Sequence, residues 1–320
     1  HYTDEAICHR LWDIAAKAGF HGGGELEPAV GSGRIISAMP PELRDKCRVV
    51  AVEKDQFSAR LATALLPEAK VWADPFEHAP IKPHSADLVI TNVPFDDMTI
   101  GDSGLNLHNF FIQHSMEKLK PGGIAIVITT ANTLDKSAEQ RAKLASSGMQ
   151  LFEAMRLPND AFKGAAGTEV VTDVLVLRKP AQHLATSAET FRSTLPVEVP
   201  EDQRRAIPAN LLEQDKTLTP IAHALVNEYY VRHPERVLGT HSLLGKMYGP
   251  GNPLDPQYTL MPAAGGPALL ERMDAAIATI QPIANSSTPA PAHGDLDEAQ
   301  QQALKEDVVA AILRHKPSGM

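Results

Sequence analysis

The stretch Asp87-Leu88-Val89-Ile90-Thr91 runs directly into Asn92-Val93-Pro94-Phe95. An apolar run of this length, between polar and proline-containing segments, predicts a strand that is buried on both faces of a parallel sheet. The tetrapeptide is then at the carboxyl end of the strand. Because ligands bind at that edge of open α/β sheets, a side-chain amide, a proline-stiffened turn and an aromatic ring meet at the predicted site.

A second strand-to-turn unit lies upstream, where Glu25-Leu26-Glu27 leads into Pro28-Ala29-Val30-Gly31-Ser32-Gly33. Glycine lets the backbone approach a ligand closely, and the next helix points its N-terminus at it. The turn lacks the G-x-G-x-x-G fingerprint, and the carboxylate of Glu27 precedes the glycines, which favours an amino-bearing ligand over a pyrophosphate. The next strand, Arg48 to Val52, ends at Glu53, where an acid typically accepts hydrogen bonds from ribose hydroxyls. Together these signals predict a nucleotide-type site.

A third short strand, Val71-Trp72-Ala73, leads to Asp74-Pro75-Phe76-Glu77. The carboxylate of Asp74 and the ring of Phe76 are suited to contacting an adenine from two sides. The alternative is a turn with Phe76 in the core. The pattern leaves both interpretations open.

The rest of the chain divides by pattern. Thr3, followed by acids and helically spaced apolar residues, predicts an N-capped first helix. Strands and helices alternate through residue 180, which predicts an α/β domain over residues 1–180. Residues 181–281 form a helical, turn-rich accessory region with helices at Ile221–Val231 and Leu269–Ile280. A Pro/Ser-rich linker at 282–294 and a charged helix at 295–320 complete the prediction.

Composition excludes several classes of protein. A net charge of −9 over 320 residues argues against nonspecific wrapping of DNA, although a local basic groove remains compatible with it. The two cysteines, Cys8 and Cys47, indicate free thiols in a reducing cytoplasm. No apolar stretch approaches the ~18 residues of a membrane span. We expect no metal site, because the histidines lack ligand spacing. A start at His1 without a signal peptide suggests a fragment of a larger protein.

Taken together, these motifs resemble class I S-adenosylmethionine-dependent methyltransferases, and within them the N6-adenine DNA methyltransferases. The resemblance implies a Rossmann-like α/β fold, with a mostly parallel sheet, an antiparallel closing strand and a mainly helical C-terminal extension. S-adenosylmethionine is the implied cofactor. The implied cofactor-binding residues are Tyr2, Thr3, Glu27, Pro28, Ala29, Gly31, Gly33, Glu53, Lys54, Asp74, Phe76 and Asn92.

Four further segments look like the methylase part of large methylase–helicase proteins, which phages and integrative elements carry and some of which act against host restriction. They are Lys120-Pro121-Gly122-Gly123, Thr133-Leu134-Asp135-Lys136, Arg156-Leu157-Pro158-Asn159 and Gly167-Thr168-Glu169-Val170. This resemblance implies DNA as partner, helicase or other domains in a larger polypeptide, and the cytoplasm of a bacterial host or a phage particle as location.

The chemistry of adenine supports the same site. Its exocyclic amine is a poor nucleophile, so acceptors for both N–H groups, the Asn92 side chain and the Val93 carbonyl, would aim the lone pair at the methyl group. Valine stands where the commonest pattern has proline, which keeps the carbonyl but loosens the turn before Pro94. We expect Phe95 to stack on a base flipped out of the duplex, with Phe162 on the opposite face or in the core.

Two other functions remain open at this stage. The same tetrapeptide serves methyltransferases that modify glutamine in proteins or guanine in RNA. The second alternative is a methyltransferase-like DNA-binding or scaffold module that has lost catalysis. The presence of Glu53, Asn92 and Phe95 argues against it. Beyond residue 180 only Tyr229 to His233 suggests a nucleic-acid contact, so we expect low sequence specificity.

Overall fold

The computed structural model describes residues 3–95, 104–163, 169–181, 188–246 and 252–282. A seven-stranded sheet in the order β3-β2-β1-β4-β5-β7-β6 forms its centre. The strands are β1 Gly23–Glu27, β2 Cys47–Val52, β3 Lys70–Trp72, β4 Ala86–Asn92, β5 Leu119–Thr130, β6 Gln150–Leu157 and β7 Thr172–Arg178. Strand β7 runs antiparallel to both of its neighbours, and the pairs among β1 to β5 are parallel. The predicted mostly parallel sheet with an antiparallel closing strand is confirmed.

Helices cover both faces of this sheet. They are α1 Glu5–Ala18, α2 Arg34–Ser37, α3 Pro41–Arg44, α4 Gln56–Leu65, α5 Leu107–Lys118, α6 Asn132–Asp135, α7 Ala138–Ser146, α8 Ala209–Gln214, α9 Glu228–Arg232 and α10 Leu269–Ala278. Strand β4 shows why both faces are needed. Leu88 and Ile90 belong to the core that contains α1, while Val89 belongs to the core that contains α5. No helix in the described ranges is long and apolar enough to cross a membrane.

The N-cap of the first helix lies one residue later than predicted. Asp4 is the N-cap, and its side-chain oxygen accepts a hydrogen bond from Ala6 N at 2.9 Å. Gly19 ends the helix in the left-handed conformation, with φ 102°. Thr3 is therefore not the cap, and its hydroxyl contacts the end of β4 instead.

The region after residue 188 contains strands as well as helices. Strands β8 Thr194–Glu198 and β9 His223–Asn227 pair antiparallel, as do β10 Thr240–Ser242 and β11 Thr259–Met261. The helix predicted for Ile221–Val231 is thus wrong in its first half, where β9 lies. The predicted helix at Leu269–Ile280 is confirmed as α10. The predicted linker, apart from its first residue, and the predicted C-terminal helix lie outside the described residues.

A buried ion cluster joins this region to the sheet. Arg156 on β6 is fully buried and makes two hydrogen bonds to Asp173, at 2.8 and 2.9 Å, and two to Asp135, at 2.6 and 3.0 Å. The backbone N–H of Asn227 also donates to Asp135, at 2.9 Å. Excellent geometry is what allows a buried ion pair to offset its desolvation. The cluster therefore holds β9 against the closing strands.

The same region lies along β6, the last strand of the sheet. Leu238 N donates to Arg156 O at 2.9 Å, and Glu189 N donates to Leu151 O at 2.7 Å. The hydroxyl of Tyr229 accepts a hydrogen bond from Ala154 N at 2.9 Å. Backbone groups on the outer side of β6 are thus hydrogen-bonded by residues from the region after residue 188.

Candidate active site

Asn92 is the last residue of β4 and lies at the carboxyl edge of the sheet. Its Nδ2 donates a hydrogen bond to Thr3 Oγ1 at 3.1 Å. Its Oδ1 is buried and has no hydrogen-bond partner among the described residues. Thr3 is only 4% exposed, so the side chain that holds Asn92 Nδ2 is itself fixed by its surroundings. The Asn92 amide is therefore held through its nitrogen, and its oxygen is left as an acceptor in a fixed position.

The rest of the tetrapeptide is anchored to the neighbouring strand. Val93 N donates to Ile128 O at 3.1 Å, and the Val93 side chain is buried. Pro94 and Phe95 are half-buried. The ring of Phe95 packs against apolar residues of both cores. The tetrapeptide therefore combines a fixed backbone with a partly accessible ring.

The glycine turn sits between β1 and α2, and each of its glycines adopts positive φ. Gly31 has φ 53°, and a Cβ added there would meet nothing within 4 Å. Gly33 has φ 84°, and a Cβ there would lie 2.6 Å from the side chain of Leu66. Packing thus requires glycine at position 33. At position 31 the backbone borders open space, which suits the close approach of a ligand.

Glu53 follows the carboxyl end of β2, and its carboxylate is held by two backbone donors. Gly31 N donates to Oε2 at 2.9 Å and Asp55 N donates to Oε1 at 2.8 Å. An ionised carboxylate has about four acceptor sites, so each oxygen keeps capacity for a further donor such as a ribose hydroxyl. The structure therefore brings Glu53 and the glycine turn together, as the sequence predicts. Lys54 follows and is exposed.

Glu27 and Glu25 lie on the same face of β1, because side chains alternate along a strand. Both are almost completely buried, and Glu27 Oε2 and both Glu25 oxygens lack a partner among the described residues. Burial raises the pKa of each carboxyl well above its usual range, and the charges of Glu25 and Glu53 raise the pKa of Glu27 further. A cation bound beside Glu27 would reverse this effect by favouring the carboxylate. Sequence reasoning missed Glu25, although its spacing from Glu27 was a usable signal.

The remaining predicted site residues are distributed differently. Asp74 is exposed, whereas Phe76 is 2% exposed and its ring lies 5.4 Å from Phe111 and 4.6 Å from His114. Of the two interpretations that the sequence left open, the one that places Phe76 in the core therefore applies. Phe162 is 5% exposed and belongs to the core beside α1, so packing is the role that its position supports. Pro28 is buried and Ala29 half-buried within the glycine turn, and Tyr2 lies outside the described residues.

The strand order, with the site at the carboxyl edge of β1, β2 and β4, is the class I S-adenosylmethionine-dependent methyltransferase fold. A protein described as such a methyltransferase, from Listeria monocytogenes, superposes with a TM-score of 0.51 at 17% identity, over 59% of this chain and 64% of that one. The type I restriction-modification methyltransferase subunit from Streptococcus thermophilus matches at TM-score 0.49 and 15% identity, over 73% and 57% of the two chains. No protein-family model matches the chain.

In sequence, the chain is similar to Defense against restriction protein B of Escherichia phage P1. The two are 31% identical over an alignment of 206 residues, and the match covers 61% of this chain and 9% of the phage protein. The chain thus corresponds to a small part of that relative's length.

Proposed function

We propose that the chain transfers a methyl group from S-adenosylmethionine to the N6 amino group of adenine in DNA, after the base has left the duplex. The observation that carries the proposal is the buried Asn92 Oδ1, which Thr3 holds in place and which no described residue donates to. Leaving a buried acceptor unpaired costs about 1–3 kcal/mol. A substrate N–H at this position would remove that cost.

The residues at the carboxyl edge fit the cofactor. Gly31 leaves open space beside the backbone, the fixed carboxylate of Glu53 has acceptor capacity for ribose hydroxyls, and the unpaired Glu27 oxygen suits an ammonium group. When bound, S-adenosylmethionine supplies an electrophilic methyl group. The methionine part would then be recognised through Glu27 and the nucleoside part through Glu53.

The protein's part in the reaction is to orient the adenine amine. Asn92 Oδ1 and the Val93 carbonyl would each accept one N–H of that amine, which draws the nitrogen out of conjugation and frees its lone pair for the methyl carbon. Alkylation makes the remaining protons acidic, so one leaves without a strong base. Phe95 would stack on the base, and stacking is worth about 1–3 kcal/mol, enough to offset much of the cost of unpairing.

We further propose that the chain belongs to a larger phage or mobile-element protein that acts against restriction in a bacterial cytoplasm. The 31% sequence identity with the phage P1 protein over 206 residues supports this context. DNA is the partner that follows from the proposed reaction, and other domains of the larger polypeptide, such as a helicase, would add to the DNA affinity of a chain of net charge −9.

The test is methyl transfer from labelled S-adenosylmethionine to unmethylated DNA, with nucleosides analysed by mass spectrometry and with RNA and protein substrates in parallel. We expect N6-methyladenine in DNA, spread over many sequence contexts. Asn92→Ala should abolish transfer but keep cofactor binding, which Glu27 and Glu53 would maintain, whereas Asn210→Ala, which changes an exposed amide on α8, should leave both intact. Glu53→Ala should weaken cofactor binding. Label in RNA or protein instead, or full activity of Asn92→Ala, would refute the proposal.

A further inference from the structure

We propose that a cavity beside the catalytic tetrapeptide binds the nucleotide next to the target adenine. This inference rests on the proposed function and adds to it a site for a flanking base. The cavity has a volume of about 510 Å³ and lies where β5 ends, β7 begins and the chain approaches β11. That volume falls within the range of small-molecule pockets, about 300–1,000 Å³. Its polar lining includes Thr130, Asn132, Lys136, Asn159, Gln257 and Tyr258.

The position of the cavity follows from the strand register. Asn92 on β4 pairs with Ile128 on β5, and Thr130 lies two residues further toward the carboxyl edge. Neighbouring strands are about 4.8 Å apart, so the cavity begins roughly one strand spacing from the tetrapeptide. A nucleic-acid strand whose adenine is held at Asn92 therefore carries its next nucleotide to the mouth of this cavity.

Two buried hydroxyls at this edge lack hydrogen-bond partners within the described ranges. Thr130 lines the cavity and is 7% exposed, and its Oγ1 is unpaired. Thr172, its direct partner across the β5–β7 ladder, is 1% exposed and also has an unpaired Oγ1. Buried polar groups are nearly always hydrogen-bonded, so the unpaired hydroxyl of Thr130, which is the one of the two that lines the cavity, points to a polar ligand.

The chemistry of the lining favours a nucleobase. The side-chain amides of Asn132, Asn159 and Gln257 line the cavity, and Asn159 Nδ2 also contacts Met261 Sδ at 3.8 Å. An amide carries both donors and an acceptor, the combination that reads the edge of a base. The guanidinium carbon of Arg156 lies 5.8 Å from the ring centroid of Tyr258, which adds a half-buried aromatic ring to the lining. Its hydroxyl stays neutral, because burial raises the pKa of Tyr258 to about 12.

The lining also contains cationic side chains. Lys136 and Lys246 both line the cavity, and a lysine ammonium is a suitable contact for a phosphate. Of the three lining acids, Asp135 is paired with the buried guanidinium of Arg156, Glu169 lies 2.6 Å from Lys163, and Asp255 is exposed to solvent.

Segments that methyl transfer leaves unexplained also converge here. Asp135 and Lys136, Asn159, and Glu169 and Val170 come from three of the four segments that resemble methylase–helicase proteins. They are far apart in sequence and none of them is among the residues proposed to orient the amine. A ligand bound in this cavity would be contacted by residues of all three segments.

The experiment is a double-perturbation cycle on a single-stranded oligonucleotide with one adenine. One perturbation is the variant Asn132→Ala with Asn159→Ala, and the other is an abasic residue on either side of the adenine. Binding is measured by fluorescence anisotropy, with Asn210→Ala as the matched control. We expect each perturbation alone to weaken binding about tenfold, the equivalent of ~1.4 kcal/mol. When the abasic residue stands on the side of the adenine that the cavity binds, the double variant should cause no further loss of affinity.

Additive losses on both sides, or an unchanged affinity of the variant, would overturn the nucleotide site. Thr130→Val is a second, nearly isosteric variant that should weaken binding in the same non-additive way. Cofactor affinity, measured by calorimetry, should stay unchanged in all these variants, which shows that they are folded. Absence of methyl transfer to the intact oligonucleotide would contradict the proposed function instead, because the binding cycle does not depend on transfer.

Discussion

Replacing Glu25 by glutamine should make the stability of the protein less dependent on pH. Glu25 is 1% exposed, and neither of its carboxyl oxygens has a partner in the described structure. Burial therefore raises its pKa well above the ordinary value of 4.5. The folded protein keeps a proton on Glu25 that the unfolded chain releases, so unfolding becomes easier as pH rises.

The size of the effect follows from proton linkage. A group whose pKa is raised on folding contributes its full stability below pH 4.5 and loses it progressively until the folded-state pKa is reached. Each such group contributes a slope of about 1.4 kcal/mol per pH unit. Glu27 has a raised pKa as well, so the pair should give the wild type a slope of at most about 2.7 kcal/mol per pH unit. Glu25→Gln removes one of the two contributions, so its slope should be smaller than that of the wild type by at most about 1.4 kcal/mol per pH unit.

The assay is urea denaturation at several pH values between about 5.5 and 7.0, with free energies of unfolding from linear extrapolation. Glu42→Gln removes an exposed carboxyl and is the matched control, for which the wild-type slope is expected. If Glu25→Gln also follows the wild-type slope, then Glu25 is ionised in the folded protein and the reasoning from its burial is wrong.

Three further predictions concern single contacts. Asp173→Ala should destabilise the protein by about 3–5 kcal/mol, because it removes one partner of the buried Arg156 guanidinium, and thermal denaturation will measure this. Gly33→Ala should lower the free energy of unfolding by about 1–3 kcal/mol and weaken cofactor binding, since it strains a left-handed residue and crowds Leu66. Unchanged stability in denaturation together with unchanged cofactor affinity in calorimetry would contradict this prediction. Thr3→Val should lower kcat about tenfold through loss of one hydrogen bond to the Asn92 amide that we propose to orient the substrate, and Thr3→Ser should restore kcat.

The sheet was predictable because its strands carry their own signal. The apolar run of β4 is buried on both sides, so its sequence alone specifies a central parallel strand. The relation between the glycine turn and Glu53 was predictable for a similar reason, since adjacent parallel strands deliver their carboxyl ends to one edge. The hydrogen bond from Gly31 to Glu53 realises that expectation.

Other features depend on contacts that are distant in sequence. Thr3 and Asp4 are both good caps, and the choice between them reflects a hydrogen bond to Asn92, 89 residues away. The burial of Phe76 depends on α5 packing over it, which its own turn does not encode. Strand β9 is five residues long, too short for its period to be separated from that of the helix that follows it.

The hydrogen bonds along β6 also bear on self-association. An uncovered edge strand is a template for pairing with another chain, and proteins block such edges with short strands or covering segments. At one end of the sheet β3 has only three residues, and at the other Leu238, Glu189 and Tyr229 occupy the backbone groups of β6. A chain cut at residue 180 would lose that cover and present an eight-residue strand to its neighbours. We therefore expect the accessory region to block edge-to-edge pairing at β6, and truncation at residue 180 to promote self-association through this strand.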